Sequence, residues 1–330
     1  MQTGSKRSCL RADTEGTLLP VRLRDFIEDR DGWIYAVSTY DNPDTIGCVL
    51  RYVPDTNGER VHPSGQRYKK YDFEEAFGHI ARHKPQYAGL LHRVPHADVK
   101  KIFRPDLELP RIARAHPRVQ KLVDLFSLPE GSIGCTGSLL CDLDNESSDI
   151  DMVVYGKHWF SAQQQVRRGI ASGAVEGLSP DMWRRVYEKR KPGIPYECFV
   201  LHEMRKYNRG QIEGTYFDIL FTRSYDELKS APAGKGEIIG KKTIEAKVTG
   251  ASLAFDNPAV YEVDHPEVSK VLSFTHTYSG QALAGEIIEA CGVCERQGDE
   301  YWLIVGTSRE ARGEYIVSKT LMEMWQKDYP

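Results

Sequence analysis

The sequence predicts an α+β fold, because segments with strand character and segments with helix character come in separate blocks along the chain. Residues 21–53 are rich in the β-branched and aromatic residues that favour strands. Helical periodicity alternates with strand-like runs over 111–230, and short strand-like runs recur after residue 233. These observations predict a central mixed sheet with helices, flanked by an N-terminal β/α region and a C-terminal β-rich domain.

Length and charge narrow the class of protein. The chain has 330 residues, enough for two or three domains, and its net charge of −3 excludes a protein that coats nucleic acid non-specifically. No apolar run of about 18 residues is present, so we expect no membrane span. Seven scattered cysteines predict no disulfide framework and favour the reducing cytoplasm.

The N-terminal part divides into a tail and a β-rich region. Residues 1–20 are charged without an apolar centre, which predicts a flexible tail rather than a secretory signal. Within the predicted region 21–110, two strand-like runs precede a helix over 72–83, where apolar residues recur at spacings of three and four. Residues 84–117 are rich in Pro and Arg, and we expect a connector with short helices there.

The predicted central domain covers residues 111–230. A helix is expected over 117–128, and helices are expected over 158–171 and 179–190, the last with Ser179 as its N-cap. Three strands are predicted between these helices and after them, in the stretches "SIGCTGS", "DIDMVVYG" and "GTYFDILFTR".

The predicted C-terminal domain covers residues 231–330. It begins with a linker, "APAGKG", and continues with five strand-like runs that are typical of a small sheet or barrel. The stretch "SKTLMEMWQKD" predicts a closing helix.

Five acidic residues lie between positions 142 and 151, in "DLDNESSDID". A solvated loop is one explanation. A calcium-binding EF-hand loop is another, but from Asp142 the required Gly falls on Ser147 and the required Glu falls on Val153. Strand geometry offers a third explanation, and it concerns only the end of this stretch.

Asp149 and Asp151 are two positions apart, so on a strand both side chains face the same way. Asp218 lies in a second strand-like run, "TYFDILF", that could lie alongside. Three carboxylates on one face repel each other unless a cation lies between them, and Mg²⁺ prefers oxygen ligands and substrate phosphates. The turn at Gly137 and Ser138 offers close backbone approach and a hydroxyl to a phosphate.

These residues resemble the signature of the DNA polymerase beta-like nucleotidyltransferase superfamily. That signature has a Gly-Ser turn, then Asp-apolar-Asp about ten residues later, and a third Asp on a later strand. Here Gly137 and Asp149 are twelve positions apart, and Ser148–Asp151 reads Ser-Asp-Ile-Asp, as in the minimal nucleotidyltransferase branch. The chain departs from the pattern at Leu139, where many members carry a basic residue.

The whole chain also resembles an uncharacterised archaeal group of predicted nucleotidyltransferases. The stretches "GWIYAV", "LRYVPD" and "SFTHTYSGQA" carry this likeness, which brings no known substrate with it.

The superfamily resemblance implies roles for the motif residues. Gly137 and Ser138 would hold the β- and γ-phosphates of an NTP such as ATP. Asp149, Asp151 and Asp218 would be the catalytic residues and the ligands of Mg²⁺, with Mn²⁺ as the other option. The implied reaction transfers an NMP from an NTP to an acceptor hydroxyl and releases pyrophosphate.

Two further clusters are candidates beside the motif. Arg184 and Arg185 belong to a basic segment with interleaved aromatic residues, which could bind the triphosphate or an RNA end, or form a solvated helix face. Cys291 and Cys294 form a single CxxC, too few ligands for a structural zinc site, and we expect core or edge cysteines there.

The sequence therefore predicts a cytoplasmic, Mg²⁺-dependent nucleotidyltransferase whose partners are an NTP and an acceptor, with no membrane involved. An RNA end, a protein side chain and a small molecule all stay open as acceptors. The alternative from another class is a non-catalytic module that binds nucleotide or RNA on the same fold.

Overall fold

The computed structural model describes residues 20–230, 236–306 and 313–328. The predicted tail lies outside these residues apart from Pro20, and the predicted linker lies outside them apart from Gly236. The described residues form seven α-helices and seventeen strands. The helices are Phe73–His83 (α1), Pro105–Ala115 (α2), Pro117–Phe126 (α3), His158–Ser172 (α4), Pro180–Arg190 (α5), Tyr196–Arg205 (α6) and Lys319–Asp328 (α7). The strands are Phe26–Asp29 (β1), Ile34–Val37 (β2), Thr45–Pro54 (β3), Arg60–Val61 (β4), Arg67–Lys70 (β5), His92–Pro95 (β6), Val99–Phe103 (β7), Ile133–Thr136 (β8), Ile150–Tyr155 (β9), Arg209–Ile212 (β10), Thr215–Thr222 (β11), Glu237–Gly250 (β12), Ala259–Asp264 (β13), Val268–Ser273 (β14), Ile287–Gln297 (β15), Glu300–Val305 (β16) and Tyr315–Ser318 (β17).

The α+β prediction is confirmed, with an N-terminal, a central and a C-terminal sheet. The chain divides into two compact units, each built from two segments. One unit comprises residues up to 165 together with 212–231, and the other comprises 166–211 together with the residues from 232 onward. The three predicted domains, 21–110, 111–230 and 231–330, stay a prediction.

The N-terminal sheet is antiparallel and has the strand order β4-β5-β3-β2-β1-β7, with β6 also paired to β3. Helix α1 packs on this sheet through Ala76 and Ile80, both fully buried. Its N-terminus carries a capping box, in which Asp72 accepts from the backbone N–H of Glu75 and Glu75 accepts from that of Asp72. The predicted helix over 72–83 is thus confirmed.

The central sheet of this unit contains β8, β9 and β11. Strand β9 lies in the middle, antiparallel to β8 and parallel to β11. The last four residues of β9 are buried, as expected for a central strand. The three strands that the sequence predicts from apolar runs are all present.

The second unit combines helices α5 and α6 with a closed barrel. Its strands follow the order β12-β13-β14-β16-β15, and a further pairing between β12 and β15 closes the circle. Strands β14 and β16 are parallel, while the other pairs in the barrel are antiparallel. Trp183 and Phe199 of the two helices share one buried core with the barrel interior, so these helices and the barrel form one hydrophobic unit.

Two differences from the predicted elements concern helices. The Pro- and Arg-rich stretch 84–117 contains an 11-residue helix, α2, which keeps Pro110 in its interior and buries Leu109 and Ile112. Helix α6 is absent from the sequence-based expectation. Its buried residues include His202 and Glu203, which break the apolar periodicity that identifies a helix.

None of the helices in the described ranges combines the length and the apolar composition that a membrane span requires.

Candidate active site

Two parallel strands place Asp151 beside Asp218. In the register of β9 and β11, Asp151 is the direct neighbour of Asp218. Neighbouring strands lie about 4.8 Å apart, and register partners project to the same face of the sheet. The strands that the sequence predicts to lie alongside each other are therefore adjacent, and both aspartates share one face.

Burial on the opposite face fixes this orientation. Ile150 and Met152 of β9 are buried, and because side chains alternate along a strand, Asp151 faces the other way. Asp149 directly precedes β9, is exposed, and by the same periodicity lies on the side of Asp151. Three of the predicted site residues thus lie on one face at one end of the strand pair.

Gly137 brings the backbone close to the Asp151 carboxylate. Its φ of +73° is in the left-handed region, and a Cβ added there would lie 2.5 Å from Oδ2 of Asp151. Ser138 follows and starts a 3₁₀ turn, in which its carbonyl accepts the N–H groups of Cys141 (3.2 Å) and Leu143 (3.0 Å). The predicted Gly-Ser turn therefore lies against one of the predicted metal ligands, Asp151.

Replacing Gly137 with Ala should destabilise the protein by about 2 kcal/mol or more and abolish any function of the Asp151 carboxylate. The left-handed backbone conformation alone costs an L-residue about 1 kcal/mol, and the close contact to Asp151 adds to this cost. Gly131→Ala is the matched control, because Gly131 has φ of +77° and an added Cβ would meet nothing within 4 Å. Thermal unfolding of the two variants separates backbone strain from the clash. Equal losses in both would contradict a special role for Gly137.

Electrostatic repulsion marks the carboxylate face. Burial, together with the charges of Asp218 and Asp149, raises the pKa of Asp151 to about 7, while Arg24 and Arg51 act in the opposite direction. The hydroxyl of Tyr216 donates to Oδ2 of Asp218 at 2.9 Å. The face therefore has an excess of negative charge that a cation would relieve.

Two other acidic residues of the stretch, Asp142 and Asp144, have partners of their own. Asp142 accepts a hydrogen bond of 2.6 Å from Arg111 of α2, and Asp144 lies 4.0 Å from the ring nitrogen of His116. Arg60 of β4 donates to the carbonyl of Leu143 (3.3 Å) and to the hydroxyl of Ser148 (3.2 Å). These contacts hold the loop that leads into Asp149. They also agree with the prediction that Asp142 and Asp144 are not metal ligands.

Three residues at this face were missed by sequence reasoning. Thr136 of β8 is the register partner of Asp151, and its hydroxyl donates to the carbonyl of Arg24 at 2.7 Å. Arg24 and Arg51 are within electrostatic range of Asp151, as their effect on its pKa indicates. Both arginines come from the N-terminal region, more than 80 residues upstream, and no local pattern marks them.

The remaining predicted candidates lie in the second unit. Arg184 and Arg185 are exposed on α5, and the guanidinium of Arg184 lies 4.9 Å from the ring centroid of Tyr196. Cys291 and Cys294 are buried thiols on β15.

The donor chemistry at the carboxylate face fits Mg²⁺. Asp149, Asp151 and Asp218 offer only oxygen ligands, and their mutual repulsion favours a divalent ion. Within the described ranges, no group of three or more His, Cys, Asp or Glu side chains converges to hold a metal ion.

The comparisons with known proteins show the family. The chain is 37% identical to the uncharacterised protein MJ1086 of Methanocaldococcus jannaschii over 341 aligned positions, which cover 91% of this chain and all of that protein. The chain belongs to the same family as that archaeal protein. No protein-family model and no solved structure matches it.

Proposed function

We propose that this protein is a Mg²⁺-dependent nucleotidyltransferase of the DNA polymerase beta-like type. The observation that carries the proposal is the in-register pairing of Asp151 with Asp218, next to the left-handed turn at Gly137. A structural role alone would not explain why the Asp151 carboxylate, whose pKa is raised by burial and by the charges of Asp218 and Asp149, is kept beside them.

Each residue has a defined task in this proposal. The backbone at Gly137 and the hydroxyl of Ser138 bind the terminal phosphates of the NTP, and Asp149, Asp151 and Asp218 hold Mg²⁺ or Mn²⁺. The bound metal supplies Lewis-acid stabilisation of the phosphate charge. Asp218 orients the acceptor hydroxyl and takes its proton as the oxygen attacks the α-phosphorus. The bond from the α-phosphorus to the bridging oxygen breaks, and pyrophosphate leaves with that electron pair.

The barrel of the second unit supports an oligonucleotide, such as an RNA end, as the acceptor. Small five-stranded barrels are a frequent oligonucleotide-binding architecture. On its outer surface the ammonium of Lys270 lies 4.8 Å from the ring centroid of Trp302, and both groups also bind the carboxylate of Glu300. A cytoplasmic location goes with this proposal, since the cysteines of the described residues are free thiols.

Incubation with each α-³²P-labelled NTP, Mg²⁺ and a cell extract tests the proposal. We expect label to move from one or more NTPs to a macromolecule, and digestion by nuclease or by protease identifies the acceptor class. Glu146→Gln, which changes an exposed carboxylate of the same acidic stretch, should transfer label like the wild type, whereas Asp218→Asn should not. Absence of transfer together with intact RNA or nucleotide binding would favour a non-catalytic binding module.

A further inference from the structure

Two arginines of the N-terminal region supply positive charge near the candidate site. We propose that Arg24 and Arg51 bind phosphate groups of the nucleotide substrate beside the carboxylate face, which makes the N-terminal region part of the substrate site. This inference rests on the proposed function and identifies which residues receive the substrate's charge.

A polyphosphate needs cations at this face, and the Gly-Ser turn offers none. After Ser138 the chain continues with Leu139, Leu140 and Cys141, all of which are buried. Their side chains face the core, so the turn contributes only amide groups and one hydroxyl. A triphosphate placed beside three carboxylates would meet strong repulsion, which Mg²⁺ and positive side chains from elsewhere would offset together.

Arg24 is held in an unusual backbone conformation. Its φ of +76° lies in the left-handed region, which costs a non-glycine residue on the order of 1 kcal/mol and recurs at functional sites. Two hydrogen bonds hold this conformation, from the N–H of Arg24 to the carbonyl of Val37 (3.1 Å) and from the hydroxyl of Thr136 to the carbonyl of Arg24 (2.7 Å). Because Thr136 is the register partner of Asp151, the second bond ties the Arg24 backbone to β8 at the position next to Asp151.

The turn that carries Arg24 is also anchored on both sides. The backbone N–H of Arg22 donates to Asp25 at 2.9 Å, and the Arg22 guanidinium lies between the rings of Tyr155 and Tyr225, at 4.0 Å and 3.8 Å from their centroids. Arg22 and Asp25 are buried. Of these charged residues only Arg24 is partly exposed, and its charge acts on Asp151.

Arg51 occupies a second backbone irregularity. Opposite β2, the register of β3 passes from Tyr52 beside Ile34 to Leu50 beside Tyr35, so Arg51 is the extra residue of a bulge. Bulges redirect a side chain and are frequent next to active sites. The carbonyl of Arg51 accepts the N–H of Tyr71 at 2.9 Å, which secures the bulged backbone.

Arginine suits this task better than lysine. Its planar guanidinium donates several hydrogen bonds in a fork that matches phosphate oxygens, and it stays charged at every physiological pH. Two backbone irregularities, in separate segments, therefore carry two guanidinium groups that both lie within electrostatic range of Asp151.

Binding of inorganic tripolyphosphate, measured calorimetrically with and without Mg²⁺, tests the inference, because this probe has no base or ribose. We expect Arg24→Gln and Arg51→Gln each to weaken its binding about 10- to 100-fold, the range for hydrogen bonds to charged groups. Arg24→Lys and Arg51→Lys should lose less, since they keep the charge and lose the fork. Arg82→Gln, on the exposed side of α1, should bind like the wild type.

Circular dichroism of each variant separates binding from folding. If Arg24→Gln unfolds, tripolyphosphate binding by Arg24→Lys and Arg51→Gln is compared with that of the wild type instead. Folded Gln variants that bind tripolyphosphate like the wild type, or a wild type that does not bind it, would overturn the inference.

The outcomes also separate this inference from the proposed function. Transfer of NMP with an unchanged KM for the NTP in both Gln variants would retain the transferase and overturn the phosphate site. If tripolyphosphate binding depends on the two arginines but the wild type transfers no NMP, the phosphate site is retained and the transferase proposal is overturned.

Discussion

Asp151→Asn should reduce nucleotidyl transfer about a thousandfold or more and should at the same time stabilise the metal-free protein. Transfer is lost because the neutral amide is a poor Mg²⁺ ligand. Stability rises because the substitution removes a carboxylate that is penalised by burial and repelled by Asp218 and Asp149. After allowance for solvent screening, we expect a gain on the order of 1–2 kcal/mol near pH 8.

The pH dependence of this gain in stability follows from the direction in which folding shifts the pKa of Asp151. The pKa of Asp151 is raised from 3.8 to about 7, so between these values the folded wild type holds a proton that the unfolded chain has released. Wild-type stability therefore falls as the pH rises through this window, and Asp151→Asn removes this loss. The stability difference between the two proteins should be small at pH 5 and largest near pH 8.

Thermal unfolding in EDTA at pH 5 and pH 8, together with the transfer assay, measures both effects. Glu146→Gln is the matched control, since it removes an exposed charge from the same stretch and should alter neither property. A metal-free Asp151→Asn protein that is less stable than the wild type at pH 8 would show that Asp151 is an ordinary structural residue.

Glu203→Gln should produce the largest loss of stability, about 3–5 kcal/mol, in the second unit. Glu203 is buried on α6, and its carboxylate pairs with Lys206 at 2.5 Å, Arg209 at 2.9 Å and Arg190 at 3.4 Å. Burial by itself raises the pKa of Glu203, but Arg209, Lys206 and Arg190 outweigh burial and hold the pKa at about 2. Removal of this charge leaves Lys206 and Arg209 buried beside a neutral amide.

Lowering the pH should destabilise the wild type in the same way as the substitution of Glu203, because protonation also removes the charge of this carboxylate. Because the folded pKa of Glu203 lies below the usual 4.5, its ion pairs stabilise the protein above pH 4.5 and lose this contribution as the pH falls toward 2. The Gln variant should lack that part of the acid dependence. Hydrogen–deuterium exchange of residues 196–205 measures the local stability, and Glu197→Gln, exposed on the same helix, should stay within about 0.5 kcal/mol of the wild type.

The strands of the carboxylate face could be predicted because their signals are local. Ile150 and Met152 alternate with Asp151, and "TYFDILF" shows one aspartate in an apolar run, so both strands and the orientation of their side chains follow from short windows of sequence. Asp72 and Ser179 likewise mark the starts of α1 and α5, since a cap acts within one helical turn.

The features that sequence reasoning missed depend on distant partners. Helix α6 buries Glu203 because Arg190 and Arg209 neutralise it, and no window around residue 200 reveals that compensation. Arg24 and Arg51, whose charges act on Asp151, lie in a left-handed turn and a bulge, and neither feature has a composition signal at an arginine. Tertiary structure determines the burial of Glu203 and the positions of the two arginines. Short windows of a single sequence do not contain that information.

The two-segment construction of the second unit has a consequence for protein synthesis. Helices α5 and α6 share their hydrophobic core with a barrel whose strands begin at residue 237 and end beyond residue 300. A ribosome that adds about 5–20 residues per second needs on the order of ten seconds to translate from the end of α6 to the last barrel strand. During that interval Trp183 and Phe199 have no barrel to cover them, so the nascent chain presents an apolar surface of the kind that chaperones bind.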